Sequence, residues 1–213
     1  MKGLYPIVDV DSIKAFKLDA VEFARRVLTA RPMALQLRAK HLSARETLEL
    51  LRELRPLCTD AGTALFANDR PDLALLAGCD GVHVGQDDLS ISNVRSVAAA
   101  LRVGASTHDI SQLERALSQR PDYVAFGPVF DTRSKERPDP VVGIDGLTRA
   151  VELAENARVP IVAIGGVTLT NAASIADLGI GGAVIGALLP ADGDLESVGS
   201  LALRLQAALR GSA

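Results

Sequence analysis

Short apolar runs alternate along this chain with longer amphipathic stretches. The runs are three to five residues long and almost continuously apolar, which is typical of strands that are buried on both faces. Because their flanks are polar or contain glycine, each run begins and ends sharply. The pattern predicts strands at Leu4–Val8, Met33–Leu37, Ala64–Ala67, Gly81–Val84, Val103–Ser106, Tyr123–Phe126, Pro160–Ile164 and Ala183–Ile185.

The stretches between these runs have apolar residues at helical spacing. Ser43 and Glu46 form the sequence of a capping box, and the helix that they open is expected to end at Gly62. Either Ser90 or Ser92 caps a later helix, and either Thr168 or Thr170 caps another. Helices are predicted over 15–30, 44–61, 71–77, 109–118, 144–157 and 195–209, and the two helices with alternative caps are expected to end at Ala100 and Leu178.

Eight strands that alternate with helices predict an α/β fold with a parallel sheet. Eight such units favour a single (β/α)₈ TIM barrel that spans residues 1–213. The alternative is an open doubly wound sheet, which would need a glycine-rich turn after its first strand. Asp9-Val10-Asp11 stands there instead, and the barrel is therefore favoured.

Composition narrows the classes of function. The net charge is −3, aromatic residues make up 3% of the chain and tryptophan is absent, so we expect no nucleic-acid partner. No apolar run approaches the roughly 20 residues of a membrane span, and we expect neither a membrane segment nor a signal peptide. Cys58 and Cys79 lie far apart in apolar, helix-like contexts. We expect both to be buried reduced thiols in a cytoplasmic protein.

Acidic residues follow two consecutive strands. Asn68-Asp69 comes after the third strand and Asp88 shortly after the fourth. An aspartate in such a place is commonly a helix N-cap, and Asp69 stands just before Arg70-Pro71, a suitable helix start. Because the carboxyl ends of neighbouring parallel strands lie side by side, the two acids are also expected to converge. Converging carboxylates suit Mg²⁺, which leaves sites free for water and substrate phosphates.

Other polar groups follow the remaining strands, where a barrel carries its active site. Arg38 and Lys40 are two residues apart and would point the same way, although a solvated pair is the alternative. Gly165-Gly166 and Ile185-Gly186 follow the last two strands, where backbone N–H groups often bind a phosphate. A tight turn is the other explanation of Gly165-Gly166. One region for a diphosphate and one for a monophosphate indicate a transferase that displaces pyrophosphate from small-molecule substrates.

The motifs at these positions resemble those of the thiamine-phosphate synthase family over nearly the whole chain. They are Gln36-Leu37-Arg38-Ala39-Lys40, Asn68-Asp69-Arg70, Gly85-Gln86-Asp87-Asp88, Ser106-Thr107-His108, Gly127-Pro128-Val129-Phe130, Thr132-Arg133-Ser134-Lys135 and Ala163-Ile164-Gly165-Gly166. The resemblance implies that 4-amino-2-methyl-5-hydroxymethylpyrimidine diphosphate loses pyrophosphate and is joined to the nitrogen of a thiazole phosphate. It further implies a dissociative substitution through a pyrimidine-stabilised carbocation.

The resemblance also implies roles for individual residues. Asp69 and Asp88 would hold Mg²⁺, and Lys135, Arg38 and Ser106 would act in catalysis. The residues implied for the pyrimidine diphosphate are Gln36, Leu37, Arg38, Ala39, Lys40, Asn68, Ser106 and Lys135. Those implied for the thiazole phosphate are Thr132, Arg133, Ser134, Gly166, Ile185 and Gly186.

Three positions depart from the family pattern. Gly186 stands where serine is common and Asp131 where proline is common, while Ser134 replaces the more usual threonine. Gly186 keeps a backbone N–H for a phosphate but lacks the hydroxyl. An acid at Asp131 is unfavourable near phosphates unless it points away.

Two other functions stay open. A thiazole tautomerase of the same fold would need a proton-transfer group such as His108 but no diphosphate site. The synthase is therefore favoured by the residues suited to a diphosphate and its metal, which are Arg38, Lys40, Asp69, Asp88 and Lys135. A non-catalytic binder of thiamine precursors would need the glycines but not the metal acids. The sequence leaves homo-oligomerisation, the kinetic constants and the preferred form of thiazole phosphate undetermined.

Overall fold

In the computed structural model, which describes residues 1–132, 139–191 and 193–211, eight parallel strands close into a barrel in chain order. The predicted barrel is therefore confirmed. Each strand pairs with the next, and β8 pairs with β1. The strands are β1 (Gly3–Asp9), β2 (Ala34–Arg38), β3 (Ala64–Asn68), β4 (Gly81–Val84), β5 (Arg102–Thr107), β6 (Tyr123–Phe126), β7 (Ile161–Ile164) and β8 (Gly181–Val184).

Helices surround the barrel and begin where the sequence supplies caps. Ser43 forms a complete capping box with Glu46, and the Ser90 and Asp109 side chains cap the helices that follow them. A short 3₁₀ turn, Gly186–Leu188, follows β8. The α-helices are α1 (Val10–Ala15), α2 (Ala20–Leu28), α3 (Ala44–Ala61), α4 (Pro71–Ala77), α5 (Ile91–Val97), α6 (Ile110–Ser118), α7 (Gly143–Ala157), α8 (Ala172–Ala176) and α9 (Leu195–Arg210).

The prediction of one helix over 15–30 is wrong. The Asp9 side chain accepts a hydrogen bond from the Ser12 N–H and starts α1 earlier, directly at the end of β1. Lys17 then takes a left-handed φ of 57°, after which the chain no longer continues α1. Asp19 caps the second helix, α2. Capping chemistry therefore outweighed the apolar spacing on which the prediction relied.

The predicted cap at Thr168 or Thr170 is also wrong. Asn171 is the N-cap residue of α8, and its side chain makes no hydrogen bond to the first turn of that helix. Its amide oxygen instead accepts the Thr168 N–H, at 2.8 Å. The Asn171 side chain thus stabilises the loop after β7 rather than the helix.

The core has two layers. A large cluster lies between the strands and the surrounding helices, and a smaller one fills the barrel interior. Tyr5, Phe66 and Tyr123 form the centre of the inner cluster, with ring centroids 5.4–6.1 Å apart. Glycine makes room for them, since a Cβ on Gly104 would lie 2.1 Å from the Tyr123 ring. These rings fill the barrel beneath its carboxyl-terminal mouth.

Two further expectations concern the cysteines and the membrane. Cys58 and Cys79 are both buried free thiols, as predicted, and burial raises the pKa of each to about 12. In the described ranges, every helix is too short or too polar to cross a bilayer.

Candidate active site

A cavity of about 870 Å³ opens at the carboxyl-terminal end of the barrel. Most of the residues predicted for the site line it: Gln36, Arg38, Lys40, Asn68, Asp69, Asp88, Ser106, Thr132, Gly166, Ile185 and Gly186. Leu37 and Ala39 instead pack against the outer core, because successive strand residues face opposite sides. Arg133, Ser134 and Lys135, which were also predicted for the site, lie outside the described residues.

Asp69 and Asp88 meet at the rim of this cavity. Their carboxyl groups are neighbours, and Lys40 Nζ lies 3.2 Å from Asp69 Oδ2. Burial, followed by the neighbouring Asp88, raises the pKa of Asp69 to about 6. Asp69 does not cap α4, since Arg70 is the N-cap residue and makes no side-chain capping bond. Two acids that the sequence could have placed on separate helix starts therefore form one carboxyl pair.

The backbone fixes both members of this pair. Asp69 has a left-handed φ of 62°, and its N–H donates to the His83 carbonyl oxygen at 2.8 Å. Asp88 Oδ2 accepts the Gly85 N–H at 2.7 Å. A non-glycine residue held at positive φ is uncommon and marks a constrained position.

The pair fits a hard divalent cation of the magnesium type. Outside residues 133–138, 192, 212 and 213, no group of three or more His, Cys, Asp or Glu residues could hold a metal ion. Mg²⁺ does not need such a cage, since it is commonly bound through one or two carboxylates together with water and substrate phosphates. Two neighbouring carboxylates repel each other because their charges are alike, and a cation between them would relieve this repulsion.

Arg38 is held at the cavity by an aspartate that the sequence analysis did not assign to the site. Arg38 Nη1 lies 2.5 Å from Asp9 Oδ1, and the two residues are register partners on β2 and β1. Asp9 is 3% exposed, and it also caps α1. The charge of Arg38 is therefore presented from a fixed position.

A hydrogen-bonded row of polar side chains crosses the barrel interior below the cavity. Gln36 Nε2 lies 3.1 Å from Tyr5 Oη, and Tyr5 Oη lies 2.6 Å from Tyr123 Oη. His83 Nδ1 is 2.7 Å from Tyr123 Oη, and His83 Nε2 is 2.8 Å from Ser106 Oγ. Burial lowers the pKa of His83 to about 4, so the ring is neutral at pH 7.

Sequence reasoning missed Tyr5, His83 and Tyr123. The sequence did contain a signal for them, because each is a polar or amphipathic residue within a largely apolar strand. An inward-facing position in a barrel strand can place such a residue on the floor of the site.

His108 directly follows β5 and lines the same cavity. Its Nδ1 is 2.6 Å from the Gly127 carbonyl oxygen and 3.6 Å from Asp139 Oδ2. Since a carbonyl only accepts, Nδ1 carries the proton in this contact. His108 therefore ties β5 to the segment that follows β6.

The glycines after β7 permit the close approach of two loops. Gly166 has a φ of +68°, and a Cβ there would lie 2.4 Å from the Asp131 carbonyl oxygen. The Val129 and Phe130 N–H groups donate to the carbonyl oxygens of Ile164 and Gly165. These contacts support the tight turn, and both glycines also line the cavity. Phosphate binding by their backbone stays a prediction.

An eight-stranded barrel that carries cations, carboxylates and glycine loops at its carboxyl-terminal mouth has the arrangement of a (β/α)₈-barrel enzyme. The family model for thiamine monophosphate synthase matches residues 4–188. The chain belongs to the thiamine monophosphate synthase family.

Individual relatives agree with the family match. The thiamine-phosphate synthase of Koribacter versatilis is 44% identical over 179 residues, which is 83% of each chain. That of Chloroflexus aurantiacus is 41% identical over 74% of this chain and 72% of its own. The solved thiamine phosphate pyrophosphorylase of Pyrococcus furiosus superposes with a TM-score of 0.84 at 32% identity, covering 97% and 95% of the two chains.

Proposed function

We propose that this chain joins hydroxymethylpyrimidine diphosphate to a thiazole phosphate, releasing pyrophosphate and thiamine phosphate, with Mg²⁺ held by Asp69 and Asp88. The family and its relatives support the synthase reaction. One observation in particular supports the metal: the Asp69–Asp88 pair shares a cavity with Arg38 and Lys40. Carboxylates among cations suit a metal-bound diphosphate better than a bare anion.

The chain's own residues would act mainly by electrostatics and positioning. In the reaction the bond between the pyrimidine methylene and the diphosphate oxygen breaks, its electrons leave with pyrophosphate, and the thiazole nitrogen forms the new bond to carbon. Bound Mg²⁺ would supply positive charge for the leaving oxygens. Arg38, fixed by Asp9, and Lys40 would add donors at set positions, which need no rearrangement as charge develops.

The second substrate would lie across the cavity. Gly166, Ile185 and Gly186 line the wall opposite the carboxyl pair, and their backbone N–H groups suit a single phosphate. Placing both substrates in one enclosed cavity converts an encounter of two molecules into a step within one complex. We assign the reaction to the cytoplasm, where two free thiols stay reduced.

The direct test supplies the purified protein with both substrates and Mg²⁺. We expect thiamine phosphate and pyrophosphate to form in equal amounts, and EDTA to stop the reaction until Mg²⁺ is restored. Binding of both substrates without turnover would instead identify a non-catalytic binder. Conversion of the thiazole phosphate alone, with no thiamine phosphate, would identify a tautomerase.

A pair of variants separates synthase from tautomerase. Lys135→Ala should lower the kcat for thiamine phosphate formation at least about tenfold, roughly 1.4 kcal/mol, because this cation is expected to stabilise charge that develops on the leaving group. KM should change less than kcat. In a tautomerase, Lys135→Ala should hardly change the rate, whereas His108→Ala should abolish activity. The rates of both variants are measured with both sets of substrates.

A further inference from the structure

We propose that His83 is a positioning residue: it fixes the direction of the Ser106 hydroxyl so that its hydrogen points into the cavity, toward the leaving diphosphate. The proposal rests on the proposed function for the identity of that anion. The orientation itself follows from the buried row of hydrogen bonds that ends at Ser106.

The row has a direction because its first member is a donor. The amide N–H of Gln36 donates to Tyr5 Oη over 3.1 Å. Tyr5 can then donate its own hydrogen to Tyr123 over 2.6 Å, and Tyr123 can donate to His83 Nδ1 over 2.7 Å. Each hydroxyl accepts one hydrogen bond and gives one.

This direction determines the tautomer of His83. A neutral imidazole has one accepting and one donating nitrogen. Since Nδ1 accepts from Tyr123, the hydrogen must be on Nε2, which donates to Ser106 Oγ at 2.8 Å. The Ser106 hydroxyl is then an acceptor on its buried side, and its own hydrogen is available to the cavity that Ser106 lines.

The opposite direction is less favourable with the Gln36 amide placed as it is. Tyr123 would donate to Tyr5, whose oxygen already accepts from Gln36, and the Tyr5 hydrogen would have no acceptor among the hydrogen bonds of the described residues. Tyr5 is 1% exposed. A buried donor without a partner is destabilising, so the direction that uses every hydrogen is preferred.

The orientation matters for catalysis because a hydroxyl can serve as donor or acceptor. Toward a diphosphate oxygen only the donor is useful, and a donor held in place before the reaction stabilises charge as it develops. The Ser106 carbonyl oxygen is also tied, by the Gln86 side-chain N–H at 2.6 Å. Backbone and side chain of Ser106 are therefore both fixed before substrate arrives.

The tautomer can be read directly in the substrate-free protein. Long-range proton–nitrogen NMR correlations at neutral pH distinguish a ring nitrogen that carries hydrogen from one that accepts. The chain has three histidines, and the His83 signals are assigned by their loss in His83→Gln. We expect hydrogen on Nε2. Hydrogen on Nδ1 would overturn the proposal, whatever reaction the protein catalyses.

Two substitutions at His83 test the catalytic consequence. Glutamine places its amide N–H about where Nε2 stands and can still donate to Ser106, whereas asparagine is one bond too short. We expect kcat to fall about tenfold in His83→Asn and at most about threefold in His83→Gln, with smaller changes in KM. Unfolding temperatures of all variants check that the inner core stays intact.

The double variant decides whether His83 acts through Ser106. If it does, His83→Asn combined with Ser106→Ala should be no slower than Ser106→Ala alone, within about twofold. If the loss of kcat in the double variant equals the product of the two single losses, His83 acts elsewhere, and the proposal would be overturned. If the wild type makes no thiamine phosphate, the proposed function fails, while the NMR result still decides the tautomer.

Discussion

Asp69→Asn and Asp88→Asn should each lower thiamine phosphate formation by about a hundredfold or more, the scale of removing a preorganised charge from a transition state. Asparagine keeps the shape and one accepting oxygen of the side chain but lacks the negative charge that binds a hard cation. Steady-state rates across a Mg²⁺ titration measure the loss. We expect excess Mg²⁺ to rescue these variants only in part.

Asp69→Asn should not destabilise the metal-free protein. The folded-state pKa of Asp69 is raised from 3.8 to about 6, so the folded protein binds this proton more tightly than the unfolded chain. The contribution of this group to stability therefore increases as pH falls through about 6 and is complete below about 4. At pH 8 its charge is unfavourable, and Asp69→Asn should keep or raise the unfolding temperature.

The control measurement compares the unfolding temperatures of the wild type and Asp69→Asn with and without Mg²⁺. Mg²⁺ should raise the unfolding temperature of the wild type but not of Asp69→Asn, because only the wild type has both ligands. Asp72→Asn is the matched variant, since it removes an exposed carboxylate of α4 that pairs with Arg70. Wild-type rates in Asp69→Asn or Asp88→Asn would remove that residue from the metal site.

Gly166→Ala should damage the acceptor side of the cavity, with a loss of at least about tenfold in kcat/KM for the thiazole phosphate. Its new Cβ would lie 2.4 Å from the Asp131 carbonyl oxygen and 2.7 Å from Phe130 Cβ. One of the two packed loops must move, and a shift near reacting groups reduces the rate steeply. We expect the acceptor KM to rise more than the pyrimidine diphosphate KM.

Gly179 offers a matched control for Gly166. Both have a left-handed φ, +72° and +68°, but a Cβ on Gly179 would approach only the flexible end of Lys2, at 3.8 Å. Gly179→Ala should cost about 1–2 kcal/mol for the left-handed backbone, whereas Gly166→Ala adds about 1–3 kcal/mol of overpacking. Equal unfolding free energies with a normal acceptor KM in Gly166→Ala would show that the phosphate binds elsewhere.

The barrel was predictable because all eight strands follow one rule. Each is a short apolar run, and two of them, Gly81–Val84 and Tyr123–Phe126, have the predicted bounds. Errors occurred where a local cap competed with apolar spacing. Asp9 and Asp19 divide the predicted first helix in two, and α8 begins without the expected threonine cap.

The polar groups of the site were predictable to the extent that they follow the strands. Their order along the chain placed Arg38, Lys40, Asp69 and Asp88 on one rim, and the structure brings them to one cavity. The role of Asp9 beside Arg38 was not predictable, because it depends on the register between β1 and β2. The row through His83 likewise depends on side chains from separate strands that meet only when the barrel closes.

The separation of the core into two clusters has a consequence for how this sequence can change. Substitutions between strands and helices, as at Leu51 or Leu54, alter the outer cluster at positions that do not line the cavity. The inner cluster shares Tyr5 and Tyr123 with the hydrogen-bonded row that ends at Ser106. Heat tolerance can therefore be adjusted in the outer layer at little expense to turnover, whereas changes inside the barrel will alter both together. A library built to raise thermostability should keep the inner ring of aromatic residues constant.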